Sequence, residues 1–299
     1  MADRQPDTRQ PGTRQPDTRQ PDDRQPGDRV TAWRPGVPGV HEVFHARFAR
    51  HAYPLHTHAC WTLLIVDAGA VRYGLGGREH AALRDRITLL PPHVPHDGRP
   101  AAPGGFTKRV LYLDGTVLDD DLAGRAVDGP TLADPLLRDR IGRLHDVLRR
   151  PEPLEAAGRL ALVGERLAQH LRGLPMSSTA GATAGVAAGT RDPAVARRLR
   201  DLLDASLPDG VVLTEVAARF GVTPTHLVRA FGRAYGVPPH RYLTGRRVEL
   251  ARRLLLAGEP AAQVATLAGF ADQSHLTRHF RATLGTTPAR YARSASARA

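Results

Sequence analysis

The spacing of apolar residues divides the chain into stretches of different period. Between Val40 and Asp114 the runs are short and strand-like: Val43–Phe48, Trp61–Val66, Ala70–Tyr73, Arg86–Leu90 and Lys108–Leu113 are rich in Val, Ile, Leu and aromatic residues, and Gly, Pro and Asp clusters separate them. Gly74-Leu75-Gly76-Gly77 has the composition of a hairpin turn. Several short strands in so few residues predict a small barrel or sandwich. From 131 to 172 the period becomes helical. Leu132, Leu136, Leu137, Ile141, Leu144 and Leu148 fall on one stripe, and Leu154, Leu160, Leu162, Val163, Leu167 and Leu171 on another, with Pro151 and Pro153 between them. Two antiparallel helices follow, packed either on the barrel or against the same helices of a second chain.

The last hundred residues are helical throughout and state one pattern twice. His226, Leu227, Arg229, Phe231, Gly236, Pro239, Arg241 and Tyr242 recur 49 positions later as His275, Leu276, Arg278, Phe280, Gly285, Pro288, Arg290 and Tyr291. A constant offset over eight identities marks an internal repeat. In the first copy a helix through Leu213–Phe220 stops at Gly221, which tolerates positive φ. Thr223 then suits an N-cap and Pro224 the first helical position. The second copy runs through Ala262–Ala268, a turn at Gly269–Asp272, and a helix from about Gln273. Each copy is therefore a helix, a glycine turn and a second helix, the helix-turn-helix arrangement. A helix over Pro239–Ala257 joins the two, and one over Asp192–Ala205 precedes them.

Two such units in tandem, with His-Leu-x-Arg-x-Phe in each second helix and Gly-x-x-Pro-x-Arg-Tyr after it, resemble the DNA-binding domain of the AraC/XylS family of bacterial transcription regulators. The resemblance spans about Arg191 to Tyr291. It implies that both units act in one chain and read adjacent major-groove segments of promoter DNA, about one turn apart. Helical spacing places Thr225, Val228 and Arg229 opposite Leu227 and Phe231, and Gln273, Ser274, Thr277 and Arg278 on the matching face of the second copy. The resemblance assigns base contacts to these positions. Arg229 and Arg278 suit guanine, Gln273 adenine, and Val228 or the Thr277 methyl group a thymine methyl. Arg233, Arg241, Arg281 and Arg290 are candidates for phosphate contacts. Charge points the same way: from Arg191 onward there are 17 arginines against 8 acidic residues, which is +9 of the chain's +12.

In the strand-rich part, His56-Thr57-His58 precedes the strand at Trp61, and Leu89-Leu90-Pro91-Pro92-His93-Val94-Pro95-His96 follows another. Over about 40–115 these phrases resemble the cupin barrel that forms the effector-binding half of many AraC-type regulators. His56, His58 and His96 then converge, with Trp61 as an apolar wall. Metal-binding cupins usually add a glutamate soon after the second histidine, whereas here Ala59-Cys60-Trp61-Thr62 follows. The expectation is therefore an effector pocket with no catalytic residues, no cofactor and no metal. A metal held by His56, His58 and His96 stays open as the alternative.

The remaining sequence sets the limits. At 299 residues the chain is long enough for two domains. One cysteine, Cys60, excludes an intrachain disulfide. No apolar run approaches membrane-spanning length and the first residues lack a signal core, so the expectation is a cytoplasmic protein with no membrane partner. Residues 4–28 are a pentapeptide repeat with no large apolar side chain, and the tail 1–29 that they make up is expected to be disordered. Residues 30–174 should form the sensor, 175–190 a Ser/Thr/Ala/Gly linker, and 191–299 the DNA-binding domain. The fold class is α+β in two domains, a cupin-like barrel with two helices and an all-α double helix-turn-helix. Function reads as a sequence-specific transcription regulator, effector-responsive and an activator by family habit. Its partners are promoter DNA, a small-molecule effector, RNA polymerase if it activates, and a second copy of itself if the helices dimerise. The rival readings are a cupin metalloenzyme fused to a DNA-binding domain and an effector-independent regulator.

Overall fold

The computed structural model describes residues 28–150, 152–173 and 192–296. Nearly all of the pentapeptide tail and the whole of the expected linker lie outside the described residues. The N-terminal domain is built from β1 (Arg29–Trp33), β2 (Val40–Phe48), β3 (Tyr53–His56), β4 (Trp61–Gly69), β5 (Val71–Leu75), β6 (Arg78–Ala82), β7 (Ile87–Leu90), β8 (His96–Pro100), β9 (Phe106–Leu113) and the short β10 (Thr131–Leu132). These form two antiparallel sheets, ordered β1-β2-β9-β4-β7-β10 and β3-β8-β5-β6, and not one closed barrel. The larger sheet is buried on both faces, which explains the unbroken apolar run of β4. Leu64 and Val66 face the smaller sheet with Phe44, Phe48, Val71 and Tyr73. Trp61, Leu63 and Ile65 face the other way, onto two helices.

Those helices are α2 (Pro135–Val147) and α3 (Pro153–Gly173), which follow the short α1 (Ala123–Asp128). Asp134 caps α2 by accepting from Leu137 N at 3.0 Å, with Pro135 at the first helical position. Leu137, Ile141 and Leu144 of α2 and Leu160, Val163, Leu167 and Leu171 of α3 are buried in one cluster with Trp61, Ile87 and Leu113 of the sheet, whereas Leu136, Leu154 and Leu162 of the expected stripes are exposed. The buried part of the stripes thus packs within the chain. The expected Gly-rich hairpin joins β5 to β6, with Gly76 and Gly77 both at positive φ, as a two-residue turn requires.

The C-terminal domain is all-α: α4 (Asp192–Ala205), α5 (Leu213–Phe220), α6 (Pro224–Tyr235), α7 (Pro239–Leu256), α8 (Ala261–Leu267), α9 (Gln273–Leu284) and α10 (Pro288–Ser296). Three residues separate α5 from α6 and five separate α8 from α9, so the second turn is longer by two residues where the sequence suggested one. The first unit buries Leu199, Val216, Leu227, Phe231 and Tyr242 in its own core. The second unit does not close a separate core. Val264, Phe270, Leu276, Phe280 and Tyr291 are continuous with the interior between the two sheets. Its α9 ends at Gly285 (φ 67°), where a Cβ would lie 2.5 Å from the Phe48 ring. Glycine there satisfies both the helix stop and the close approach of the domains.

Candidate DNA interface and sensor cavity

The two recognition helices are fixed by side-chain caps. Thr223 accepts from His226 N at 3.2 Å, and Asp272 accepts from His275 N at 2.7 Å. Leu227 and Phe231 of α6 and Leu276 and Phe280 of α9 are buried, which fixes the opposite faces outward. On α9, Gln273, Ser274, Thr277, Arg278 and Arg281 line one open groove. On α6, Thr225 and Arg229 are exposed and Val228 is half-buried. Arg241 and Arg290 are exposed at the first turns of α7 and α10. Arg233 is also exposed but pairs with Asp192, which receives His226 Nε2 at 2.9 Å as well. Arg246 and Arg252, counted in the basic excess, are buried in ion pairs and face no phosphate.

In the N-terminal domain, His56, His58 and His96 come together as expected. Their ring centroids are 4.5–5.2 Å apart, and one nitrogen from each lies within 4.8 Å of the others. β3 and β8 pair His56 directly with His96. Trp61 does not join them. It stands on the opposite face of the larger sheet, fully buried against the helices, and donates from Nε1 to Asp120 Oδ1 at 3.2 Å. The register of β4 decides this: residues 62 and 64 point into the sandwich and 61 and 63 away from it. The apolar wall is Leu64, Val71, Leu90, Val110 and Leu284 instead.

Sequence reasoning missed the other polar groups of the cavity. Lys108, the chain's one lysine, lines it with Nζ 4.0 Å from the centroid of the Tyr53 ring. Burial, and then Arg252, lower its pKa to about 7. The Thr62 hydroxyl and the Tyr53 hydroxyl line the same cavity without a hydrogen-bond partner among the described residues. Burial holds His56 and His58 well below the usual imidazole range and lowers His96 to about 4, so all three rings are neutral. Neutral imidazoles are the form that ligates a metal. As a donor set the three fit Zn, Cu, Ni or Fe(II). The carboxylate that metal cupins carry in the barrel is replaced by Glu249, which comes from α7 and touches His58, not the centre of the cluster.

The domains are joined by buried charge. Arg252 on α7 donates to Glu42 on β2 at 2.7 Å, and the Tyr291 hydroxyl donates to the same carboxylate oxygen. The Arg252 guanidinium also lies over the Tyr112 ring, 4.3 Å from its centroid. Glu249 accepts from His58 Nδ1 at 2.9 Å, from Ala59 N at 3.3 Å and from Arg246. Cys60 lies beside these groups, and burial, then Glu249, push its thiol pKa up, which favours the neutral thiol over the nucleophilic thiolate.

Comparison with known proteins agrees with both halves. Residues 38–164 match the model of the AraC-like ligand binding domain, and residues 216–294 match that of a helix-turn-helix domain. The chain belongs to the AraC family of transcription regulators. It is 28% identical over 190 residues to the virulence regulon transcriptional activator VirF of Yersinia enterocolitica, covering 62% of this chain and 68% of that one. It is 27% identical over 238 residues to the transcriptional activator NphR of a Rhodococcus species, covering 77% and 69%. The crystal structure of ToxT from Vibrio cholerae O395 superposes with a TM-score of 0.56 at 13% identity, over 89% of this chain and 97% of that one, a likeness of fold. An AraC-family regulator couples a ligand-binding domain to a DNA reader, and here the two share a core. No helix among the described residues is long and apolar enough to cross a membrane.

Proposed function

We propose that this regulator activates transcription by reading promoter DNA through α6 and α9, and that a small ligand taken up by the sandwich sets how the reader is held. The observation that carries the reading is the exposed α9 groove of Gln273, Ser274, Thr277, Arg278 and Arg281 on a unit whose own core is continuous with the sensor. Base edges meet Thr225, Val228, Arg229, Gln273, Ser274, Thr277 and Arg278. Phosphates meet Arg241, Arg281 and Arg290, and Arg233 after it leaves Asp192. A ligand shifts the equilibrium only through a difference in affinity between two arrangements. The cavity walls supply that difference, because Thr283 and Leu284 of the reader line it with His56, His58 and His96 of the sensor. Activation follows the names of the relatives, and RNA polymerase is then the protein partner.

The test is a footprint of the purified protein on its own upstream region at several salt concentrations, with and without cell metabolites. The expected result is two protected major-groove segments about one turn apart, steeply salt-dependent, with a pattern that a ligand changes. Absence of any sequence-specific protection under all conditions would overturn the reading.

A further inference from the structure

We propose that His56, His58 and His96 bind one divalent transition-metal ion within the sandwich, and that Glu249 of the DNA-binding domain links its occupancy to the docking of that domain. The inference rests on the sensor–reader reading above and names the class of ligand.

The three imidazoles are held by their second nitrogens. Nδ1 of His56 lies 2.7 Å from the Pro54 carbonyl, Nδ1 of His96 lies 3.0 Å from the Val94 carbonyl, and Nδ1 of His58 lies 2.9 Å from Glu249 Oε1. A ring nitrogen facing a carbonyl or carboxylate oxygen carries the proton, so in each ring Nε2 keeps its lone pair. None of the three Nε2 atoms has a hydrogen-bond partner among the described residues. Anchoring one nitrogen on oxygen and leaving the other for the ion is how metal-binding histidines are oriented, and one nitrogen of each ring lies within 4.8 Å of the others. The cavity they border is about 40 Å³, room for an ion with a few waters and not for a sizeable organic molecule. The unpartnered Thr62 hydroxyl, on a residue 6% exposed, borders the same space and can hold such a water.

Glu249 gives the site its consequence. It comes from α7, 191 residues from His58, and its second oxygen accepts from Arg246. Arg246 in turn donates to Asp204 on α4 at 2.7 Å. A metal at His58 Nε2 draws electron density from the ring and strengthens the bond from Nδ1–H to Glu249. Metal binding thus favours the docked reader, and docking favours the metal by the same factor. Loss of such an outer partner typically weakens a metal site about 10- to 100-fold.

The experiment uses the full chain, stripped with a chelator and titrated with Co²⁺ followed by its visible d–d absorption. One ion per chain is expected, lost in both His56→Ala and His96→Ala, with each variant's fold checked by circular dichroism. Glu249→Gln should keep one site and bind Co²⁺ about 10- to 100-fold more weakly. Co²⁺ should alter specific DNA affinity in the parent protein and not in Glu249→Gln. No Co²⁺ bound by the parent, or equal binding in a folded His56→Ala variant, would overturn the site. Unchanged Co²⁺ affinity in Glu249→Gln would overturn the coupling. Because Co²⁺ is read without DNA, failure of the metal site and failure of the DNA reading give separate results.

Discussion

Glu42 and Arg252 face each other at 2.7 Å, both side chains buried, across 210 residues of sequence and from different domains. The repeat shows what this pair does. In the first unit the Tyr242 hydroxyl donates to Asp204, which also receives Arg246, all within the reader. In the second unit the equivalent Tyr291 and the nearby Arg252 meet Glu42, so the acid is borrowed from the sensor. Burial keeps the guanidinium charge dependent on that carboxylate, whose presence is the main cause of its raised pKa.

Removing one partner should therefore cost far more than removing both. Glu42→Ala strands a buried guanidinium and should destabilise the protein by about 3–5 kcal/mol in urea unfolding. Adding Arg252→Met should restore much of the loss. A double variant whose loss equals the sum of the single losses would show that the two side chains do not support each other.

The reader was legible because its signals are local: caps, glycine stops, helical spacing and a repeat lie within short windows. β2, β4, β5, β7 and β9 were visible as short runs rich in β-branched, leucine and aromatic residues. β3 and β8 were not, because Pro54, His56, His96 and Asp97 give no alternation and the strands form only by pairing with each other. The pairing of His56 with His58 was legible from spacing, and the place of His96 beside them from the resemblance of the two phrases to the cupin barrel. Trp61 was misplaced because a strand's inward face depends on register, and one residue reverses it. Glu249, Lys108, Glu42 and Arg252 carried no signal toward the site, since only tertiary docking brings them there.

Acid should loosen the docked state. His51 packs against the Phe48 ring and beside Gly285, and its pKa is lowered to about 4, chiefly by burial and then by Lys108, against smaller raising effects of Asp28 and the Thr283 backbone. A folded value below the unfolded 6.5 means that the unfolded chain takes up the proton first. The contribution is intact above pH 6.5, falls as the pH drops toward 4, and levels off below that. Urea midpoints measured across this window should decline, and His51→Phe should flatten part of the decline. An equally steep decline in the variant would remove His51 as a source.

The recognition-helix caps should be worth about 1 kcal/mol each. Asp272→Ala removes the bond to His275 N and Thr223→Ala the bond to His226 N. Thermal unfolding should show each loss, and Asp272→Ser should recover most of its own. Asp272→Ala should also weaken DNA binding, because the cap fixes the first turn that carries Gln273 and Ser274. Unchanged stability in both alanine variants would mean that helix packing alone sets these termini.

Two arginines of the second unit should separate reading from holding. Arg278 is exposed within the α9 groove between Thr277 and Arg281, and Arg290 is exposed at the start of α10. A guanidinium paired with a guanine edge discriminates that base by about 1–3 kcal/mol, whereas one on a phosphate contributes equally at every sequence and releases counterions. Arg278→Ala should weaken specific binding by about 1–3 kcal/mol and relax the preference at one base position. Arg290→Ala should weaken specific and non-specific binding alike and lower the salt slope by about 1. Competition binding against a library of single-base operator variants at two salt concentrations measures both quantities. If Arg278→Ala lowered affinity uniformly and changed only the salt slope, Arg278 would be a phosphate contact, and base reading by the second unit would fall to Gln273, Ser274 and Thr277.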